Sequence, residues 1–370
     1  MKKALIFAAA AALALAACSK NEIIPVDEEC THAISFGTYG PRSITKADAD
    51  NYVSGTELIA GADFDVWGWF TANDVNFNGS NGTQFFGTTH PWYTVTYKTG
   101  GGSGSTGSAN EYPDGARYWP TGNTPDKLSF YAYYPSNKGT ITPPSGLGAF
   151  SFTAEATAAA QVDFMIADMV KDQTYSATNS GTDGTVHLTF KHQLTKVQVK
   201  FKTTEAIVDD ANTNIKVNNA SLGKINNTGT LTSSYDGSTF ATAWSGVSGT
   251  ATYAIAVPSG NLTATAAASG NDANDVFLLV PQTMKVNTDT DAQYIDVNWT
   301  ITTDGVATTN TKRIYLDDCY TTDGGSTLAN IDWDKNNSVT YIITIAPNQI
   351  LFTGAAANWD TEKDGYFNVN

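Results

Sequence analysis

The sequence predicts an all-β protein, and three observations support this class. The chain is rich in Thr, Asn, Gly and Tyr, and only 15% of its 370 residues are charged. Short runs of alternating apolar and polar residues recur along it, and Gly, Asn, Asp or Pro bounds them. Long apolar stripes at the 3.6-residue helical period are absent from the sequence. Together these patterns are typical of β-sandwiches, in which successive side chains point alternately towards the core and towards solvent.

The first residues, MKKALIFAAAAALALAACSK, indicate export. The apolar run at residues 4–17 is shorter than the about 20 apolar residues that a membrane-spanning helix needs. It ends in LAAC, which resembles the bacterial lipobox, where the cysteine is acylated and the chain is cut just before it. We therefore predict a signal peptide at residues 1–17, a palmitate-type lipid on Cys18 and a tether over residues 18–31. A plain signal peptide with an incidental cysteine is the alternative.

Charge and cysteine content limit the partners and the chemistry. The formal net charge is −15, and removal of the signal peptide changes it to −17, because that segment holds two lysines and no acid. So acidic a surface argues against nucleic acid and against direct attraction to anionic lipid headgroups. Cys30 and Cys319 are too few for a disulfide framework. They either form one bridge or remain two thiols, and the second reading is favoured.

The predicted strands follow in order along the chain. Most alternate, whereas the apolar FLLV within one of them predicts a strand that is buried on both faces. Residues 154–161, AEATAAAQ, are the one helix-like stretch. Glycine-rich and polar loops suggest a boundary between a domain at residues 32–180 and a second at residues 181–370. The clearest strand runs are DFDVWGWF (63–70), KLSFYAYYP (127–135), VHLTFKHQLTKVQVKF (186–201), ATYAIAVP (251–258), DVFLLVPQ (275–282), YIDVNWTI (294–301) and SVTYIITIAP (338–347).

The aromatic run KLSFYAYYP has two readings. Phe130 shares one face with aliphatic and aromatic neighbours, and Tyr131 and Tyr133 share the other face. The run is either a strand packed on one side and partly covered on the other, or an exposed platform on which sugars stack. We favour packing and predict that Phe130 is buried, because aromatic residues more often fill cores than form open platforms.

No constellation of residues predicts catalysis or metal binding. G-x-S-x-G, H-E-x-x-H and P-loop motifs are absent from the sequence. His187 and His192 are five residues apart, so a strand directs them to opposite faces. DWDKNN (332–337) lacks the glycine and the glutamate of a calcium-binding EF-hand loop, and a solvated turn is the better reading for Asp289 and Asp291. We therefore expect no enzymatic activity, no cofactor and no metal site.

The order of the motifs resembles the fimbrillin family, the type V pilin-like surface lipoproteins of gut and oral anaerobes. After Cys18 come ARYWP, LSFYAYYP, VDFMIAD, VHLTFKHQLTKVQV, LLVPQ and a closing VTYIITI followed by ANWD. The resemblance extends from about Ala33 to Trp359. It implies two tandem transthyretin-like β-sandwich domains. It also implies export as a lipoprotein, followed by polymerisation into fimbriae after proteolysis, or capping or anchoring of those fimbriae.

The resemblance also implies roles for particular residues. Cys18 matches the lipid-bearing cysteine. Arg42 matches the arginine after which a protease trims the first strand, which would leave Ser43 as the new N-terminus. The terminal DGYFNVN lies where the family's donor strand would be, with Phe367 and Val369 alternating along it.

The residues themselves make this exchange reasonable. AISFGTYG places Ile34 and Phe36 on one face, so the segment can fill a groove at a sheet edge. Loss of that strand would expose an edge that binds a foreign strand. If the C-terminal tail is not the donor, NQILFTG (348–354) is the substitute, because Ile350 and Phe352 alternate in the same way.

The sequence is therefore compatible with two functions. The first is a fimbrial subunit at the cell surface, attached to the outer membrane by its lipid, with other fimbrial subunits and a host or bacterial surface receptor as partners. The alternative is a surface lipoprotein that binds glycans through exposed aromatic residues. Its candidates are Trp67, Trp69, Trp92 and Tyr93.

Overall fold

A computed structural model describes most of the chain between residues 33 and 358. The described ranges are 33–39, 63–86, 92–97, 110–111, 117–120, 126–136, 138–175, 185–269, 275–318, 320–321, 329–347 and 349–358. The strands are β1 (Ser35–Tyr39), β2 (Asp63–Thr71), β3 (Thr83–Gln84), β4 (Trp92–Tyr97), β5 (Asn110–Glu111), β6 (Lys127–Tyr134), β7 (Ile141–Thr142), β8 (Ala149–Thr153), β9 (Met165–Ala167), β10 (Val170–Gln173), β11 (Thr185–His192), β12 (Thr195–Lys202), β13 (Thr213–Ile225), β14 (Thr228–Tyr235), β15 (Phe240–Ser248), β16 (Ala251–Ile255), β17 (Val276–Leu279), β18 (Tyr294–Thr303), β19 (Val306–Tyr315), β20 (Tyr320–Thr321), β21 (Ala329–Asn330), β22 (Asn337–Ala346) and β23 (Gln349–Asn358).

The all-β prediction is confirmed, and helix contributes little to the described chain. One α-helical turn spans Glu205–Val208. The helix-like stretch at residues 154–161 forms only a 3-10 turn at Ala158–Ala160. Within the described ranges, no helix is both long enough and apolar enough to cross a membrane.

The largest sheet is built around β6 and β2. Its strand order is β1-β11-β9-β6-β2-β4-β5, with β10 also paired to β6 and β3 also paired to β2. β1 runs parallel to β11, whereas the other pairs are antiparallel. Three strand spacings, about 14 Å in a flat sheet, separate β1 from β6. The ring of Phe36 nevertheless lies 5.6 Å from that of Phe130. The sheet therefore curls so that β1 closes over its core.

The aromatic run in β6 is packed on both faces. Phe130 is buried, which confirms the prediction, and it belongs to the cluster that β1 closes. The opposite face was expected to be only partly covered, but Tyr131 and Tyr133 are also buried. The reason is a second layer, in which the β8 residue Phe150 lies 5.4 Å from the Tyr133 ring.

A column of rings joins this second face to the C-terminal half. Tyr131 stacks on Trp67 at 4.7 Å and on Trp69 at 5.7 Å. Trp69 stacks on Phe77 at 5.2 Å, and Phe77 stacks on Tyr235 of β14 at 5.9 Å. Parallel aromatic pairs at these spacings add to the free energy of burial. The column therefore packs the two halves of the chain against each other.

Three four-stranded sheets and one two-stranded sheet, β20-β21, form the rest of the described structure. The strand orders of the four-stranded sheets are β15-β14-β8-β7, β17-β12-β22-β23 and β16-β13-β18-β19. β12 and β22 pair in parallel over seven residues, and the remaining pairs are antiparallel. Residues 277–280 are all buried, which confirms that FLLV is covered on both faces.

Strand pairing crosses the predicted domain boundary. That boundary falls at residues 180 and 181, within a stretch outside the described residues. β11 lies beyond it but pairs with β1 and β9 of the first sheet. β8 lies before it but pairs with β14. The division into residues 32–180 and 181–370 remains a prediction. It was based on loop composition, which does not reveal that strands from opposite sides of the boundary pair with each other.

Candidate functional site

The first described strand occupies a built apolar site. Ile34 and Phe36 are 1% and 2% exposed. The Phe36 ring meets Phe64 edge-on at 6.4 Å and Phe130 edge-on at 5.6 Å. Phe36 is also the register partner of Val186 in β11. We call the space that Ile34 and Phe36 fill, bounded by Phe64, Phe130 and Val186, the β1 seat.

Main-chain pairing holds β1 along the seat. Five consecutive residues, Ser35 to Tyr39, pair in parallel with Thr185 to Thr189. Before the strand, the Ile34 N–H donates to the Arg117 carbonyl oxygen at 2.7 Å. The side chains of Ser35 and Thr185 share a hydrogen bond of 2.7 Å on the opposite face. Among the described strands, β1 is the terminal strand of its sheet, and an isolated antiparallel bridge joins the preceding residue, Ala33, to Tyr118.

A glycine lies against a histidine on the face of β1 opposite the seat. Gly37 pairs with His187, and a Cβ on Gly37 would lie 2.8 Å from the imidazole Nδ1. Real Cβ contacts essentially never come so close, so a side chain here would displace the histidine or the strand. His187 is exposed while His192 is buried, so the two histidines point to opposite faces, as the alternation predicts.

Several predicted site residues lie outside the described part of the chain. These are Cys18, Arg42, Ser43, Phe367 and Val369. Their proposed roles in lipidation, processing and strand donation remain predictions. Cys30 and Cys319 also lie outside it, so the question of a bridge between them stays open.

The substitute donor segment is an integral strand. Residues 349–358 form β23, which pairs with β22 over ten consecutive residues. The Phe352 ring stacks on Tyr341 at 5.4 Å and 18°, and Ile350 packs against the main core. Donation of this segment would break that ladder and uncover Tyr341. It is therefore a poor donor compared with a tail that follows it.

The aromatic residues proposed for glycan stacking are not available for it. Trp67, Trp69 and Tyr93 are 0%, 8% and 2% exposed. Trp92 is half-buried, and its ring lies 6.1 Å from that of Trp67. These rings pack between the sheets, which argues against the alternative function, a glycan-binding platform.

Sequence reasoning missed a buried carboxylate in the first sheet. Asp65 is 2% exposed and accepts hydrogen bonds from the hydroxyls of Thr94 at 2.6 Å, Tyr133 at 2.7 Å and Ser136 at 2.8 Å. Three donors satisfy a group that would be costly to bury alone. The sequence did contain one indication of this burial, because Asp65 lies between the apolar residues Phe64 and Val66 in β2. Its hydrogen-bond donors come from β4, from β6 and from the turn after β6, and this pairing could not be predicted from the sequence.

Three other acidic side chains make structural contacts. Asp163 pairs with the buried His192 at 2.7 Å. Asp289 accepts the Asp291 N–H at 2.8 Å, and Asp291 faces Lys224 at 3.4 Å, an arrangement typical of a solvated turn. Among the described residues, no group of three or more potential metal ligands comes together.

Burial raises the pKa of the Tyr131 phenol. This hydroxyl therefore stays protonated, and it donates a hydrogen bond to the Gly146 carbonyl oxygen at 2.7 Å.

Comparisons with known proteins match this fold. A solved fimbrial protein from Bacteroides vulgatus is 19% identical with a TM-score of 0.55, covering 80% of this chain and 92% of its own. A candidate cell adhesion protein from Bacteroides uniformis is 15% identical with a TM-score of 0.44, covering 91% and 100%. The tip fimbrial protein Mfa3 from Porphyromonas gingivalis is 10% identical with a TM-score of 0.35, covering 81% and 95%. The latter two scores are too low to carry an argument, and the first supports the fold alone.

Sequence comparison assigns the family. A search of curated proteins gives no match. The family model described as fimbrillin-like matches residues 53–359, which is most of the chain and begins after β1. The chain belongs to the fimbrillin-like family.

Proposed function

We propose that this chain is a fimbrial subunit of the cell surface whose first strand is exchanged for a strand of another subunit after proteolysis. The observation that carries the proposal is the β1 seat. An edge strand near the N-terminus fills an apolar core, and Ile34 and Phe36 are almost completely buried. Membership of the fimbrillin-like family supports the same role. The role is structural rather than catalytic.

Removal of β1 would create an acceptor. The main-chain groups of β11 that pair with residues 35–39 would lose their partners, and the rings of Phe64 and Phe130 would lose Phe36. An edge with unpaired main-chain groups beside an apolar groove binds an extended segment by β-augmentation. Trimming after Arg42 is the step that we propose to free the seat.

The C-terminal tail is the proposed donor. It follows β23, and its Phe367 and Val369 are spaced as Phe36 and Ile34 are. An aromatic and a branched aliphatic side chain would replace the same two types, so the exchange is close to neutral in contact energy. Proteolysis gives the direction, because the cut strand is no longer held at high effective concentration by its tether.

Anchoring completes the proposal. The lipobox-like LAAC supports a lipid on Cys18 of the precursor, and such a lipid would hold the unprocessed chain at the outer membrane. Trimming after Arg42 would separate the body from that anchor. The same cut would thus release the subunit and open its seat, and adhesion to a receptor would then be a property of the assembled fimbria.

One comparison of variants tests the proposal. Arg42→Ala should leave the surface protein with its Cys18 end and abolish SDS-resistant ladders, whereas Lys46→Ala, a basic residue in the same segment, should leave both unchanged. The N-terminus is read by mass spectrometry, and the ladder on a gel. Deletion of residues 365–370 should leave a trimmed subunit that does not donate. Ladders of normal intensity from both Arg42→Ala and the deletion would refute the exchange.

A further inference from the structure

The strand edges of this protein are unequally protected. Natural sheets guard their edges with short strands, bulges or lysines, since an open regular edge pairs with other chains. β5 and β7 have two residues each. β15 has a register shift in its ladder with β14, and Lys335 donates to its Thr242 carbonyl at 2.6 Å. The β16 ladder also contains a register shift, and β23 lies beside β20.

Apart from Lys312 near its end, β19 has none of these devices within the described residues. It pairs with β18 over ten consecutive residues without a register shift, and it contains no proline. Residues 306–309 are all exposed, and Val306 at the hairpin tip is 69% exposed. The hairpin therefore projects from the body and presents one long, regular edge.

The hairpin turn defines which main-chain groups point outward. Asp304 and Gly305 form a two-residue turn with φ angles of 51° and 79°. In such hairpins the flanking residues, Thr303 and Val306 here, form a hydrogen-bonded pair, and bonded pairs recur at every second residue. The even-numbered residues of β19 therefore bond to β18. Ala307, Thr309, Thr311 and Arg313 direct their N–H and C=O groups away from it.

We propose that the β19 edge pairs with the β19 edge of a second copy of this chain, antiparallel across a two-fold axis. This contact is separate from the β1 seat and does not require trimming. It would join two four-stranded sheets into one of eight strands. In a fimbrial subunit, such pairing would associate copies side by side rather than end to end.

Charge favours a second copy as the occupant. The chain carries a net charge of −15, so most of its surface repels another copy. Residues 306–311, VATTNT, carry no charge. The guanidinium of Arg313 is bound by the Asp296 carboxylate at 2.9 and 2.8 Å, and only Lys312 adds an unpaired cation. The edge is thus a neutral to basic strip on an acidic protein, where two copies approach with little repulsion.

The side chains of β19 are also compatible with antiparallel pairing to a second β19. A two-fold axis through Asn310 pairs Thr309 with Thr311 twice and pairs Ala307 with Arg313. Thr–Thr pairs across strands are favourable, and the two arginines stay apart. In this register the two copies of Asn310 form a pair without main-chain bonds, with Cα atoms about 4.5 Å apart.

A cysteine scan of the full, unprocessed chain tests this register. Asn310→Cys should form a disulfide between copies under mild oxidation, because about 4.4–6.8 Å between Cα atoms suits such a bond. Thr308→Cys is the matched control, since its two copies would lie about 14 Å apart. The unsubstituted chain gives the background from its own cysteines. Peptide mass spectrometry identifies the bonded pair.

A second variant tests the main-chain bonds themselves. Thr311→Pro removes an outward N–H and leaves the ladder with β18 intact, whereas Thr311→Val keeps that N–H. Sedimentation velocity should show a dimer for the unsubstituted chain and for Thr311→Val, and a dissociation constant weaker by roughly tenfold or more for Thr311→Pro.

The outcomes separate this proposal from strand exchange. Equal cross-linking of Asn310→Cys and Thr308→Cys, or an unchanged dimer for Thr311→Pro, would overturn β19 pairing. A chain that is monomeric at all concentrations would overturn it as well. Because every sample keeps Arg42 uncut, verified by mass spectrometry, none of these results depends on whether the trimmed subunit polymerises.

Discussion

Replacement of Phe36 by alanine would empty the centre of the β1 seat. The Phe36 side chain is 2% exposed, and its ring contacts Phe64 and Phe130 edge-on at 6.4 and 5.6 Å. Phe36→Leu keeps an apolar side chain there but loses both edge-on contacts. Ser35→Ala alters the neighbouring residue on the opposite face, where one hydrogen bond to Thr185 is lost.

The expected magnitudes follow from these contacts. Burial of a phenylalanine side chain stabilises by about 1.5–3 kcal/mol. Each aromatic pair adds about 0.5–1.5 kcal/mol. Phe36→Ala should therefore lower the free energy of unfolding by about 3–5 kcal/mol, in the range measured for emptied aromatic core sites. Phe36→Leu should cost about 1–2 kcal/mol, and Ser35→Ala should cost about 1 kcal/mol or less.

Urea unfolding of the unprocessed chain, followed by tryptophan fluorescence, measures this order. The midpoint should fall most for Phe36→Ala, less for Phe36→Leu and least for Ser35→Ala. Equal midpoints for Phe36→Ala and Ser35→Ala would show that β1 is not part of the folded core. In that case the seat, and the exchange proposed for it, would both be wrong.

Three further predictions concern the first sheet and the anchor. Phe130→Ala should cost about 3–5 kcal/mol in urea unfolding, whereas Val75→Ala at an exposed site should change stability by less than about 0.5 kcal/mol; similar values for the two would mean that β6 is not a core strand. Asp65→Ala should cost about 2–4 kcal/mol, because three hydroxyls lose their acceptor, whereas its exposed neighbour Asp63 should tolerate the same change at about 1 kcal/mol or less; the reverse order would contradict the network. Cys18→Ala should release the protein from the membrane fraction, and palmitate labelling of the variant would disprove the lipobox assignment.

Alternation along the sequence predicted which face each side chain occupies. As a period of two requires, Ile34 and Phe36 lie on the same face of their strand. Phe130 and Tyr131 lie on opposite faces of theirs. The same rule separated His187 from His192. Faces are predictable because they depend only on the local backbone geometry of an extended chain.

Neighbours were not predictable in the same way. Nothing local indicates that Phe36 lies beside Val186, 150 residues further along the chain. The same limit explains why the sequence left the glycan-stacking alternative open for Trp67 and Trp69. Trp67 and Trp69 alternate as an exposed face would, but β8 and β14 supply a second layer that buries them. Strand partners depend on the whole topology, which a single sequence does not contain.

The parallel pairing of β1 with β11 has a mechanical consequence. The two strands pair over five consecutive residues, and their main-chain hydrogen bonds follow one another along the strand axis. A strand pulled along that axis loads every bond of the ladder at once, as in shear, whereas a strand pulled sideways would break them one after another. A donor that takes the place of β1 and is pulled along its own axis would therefore be held by the whole ladder and by both buried side chains together.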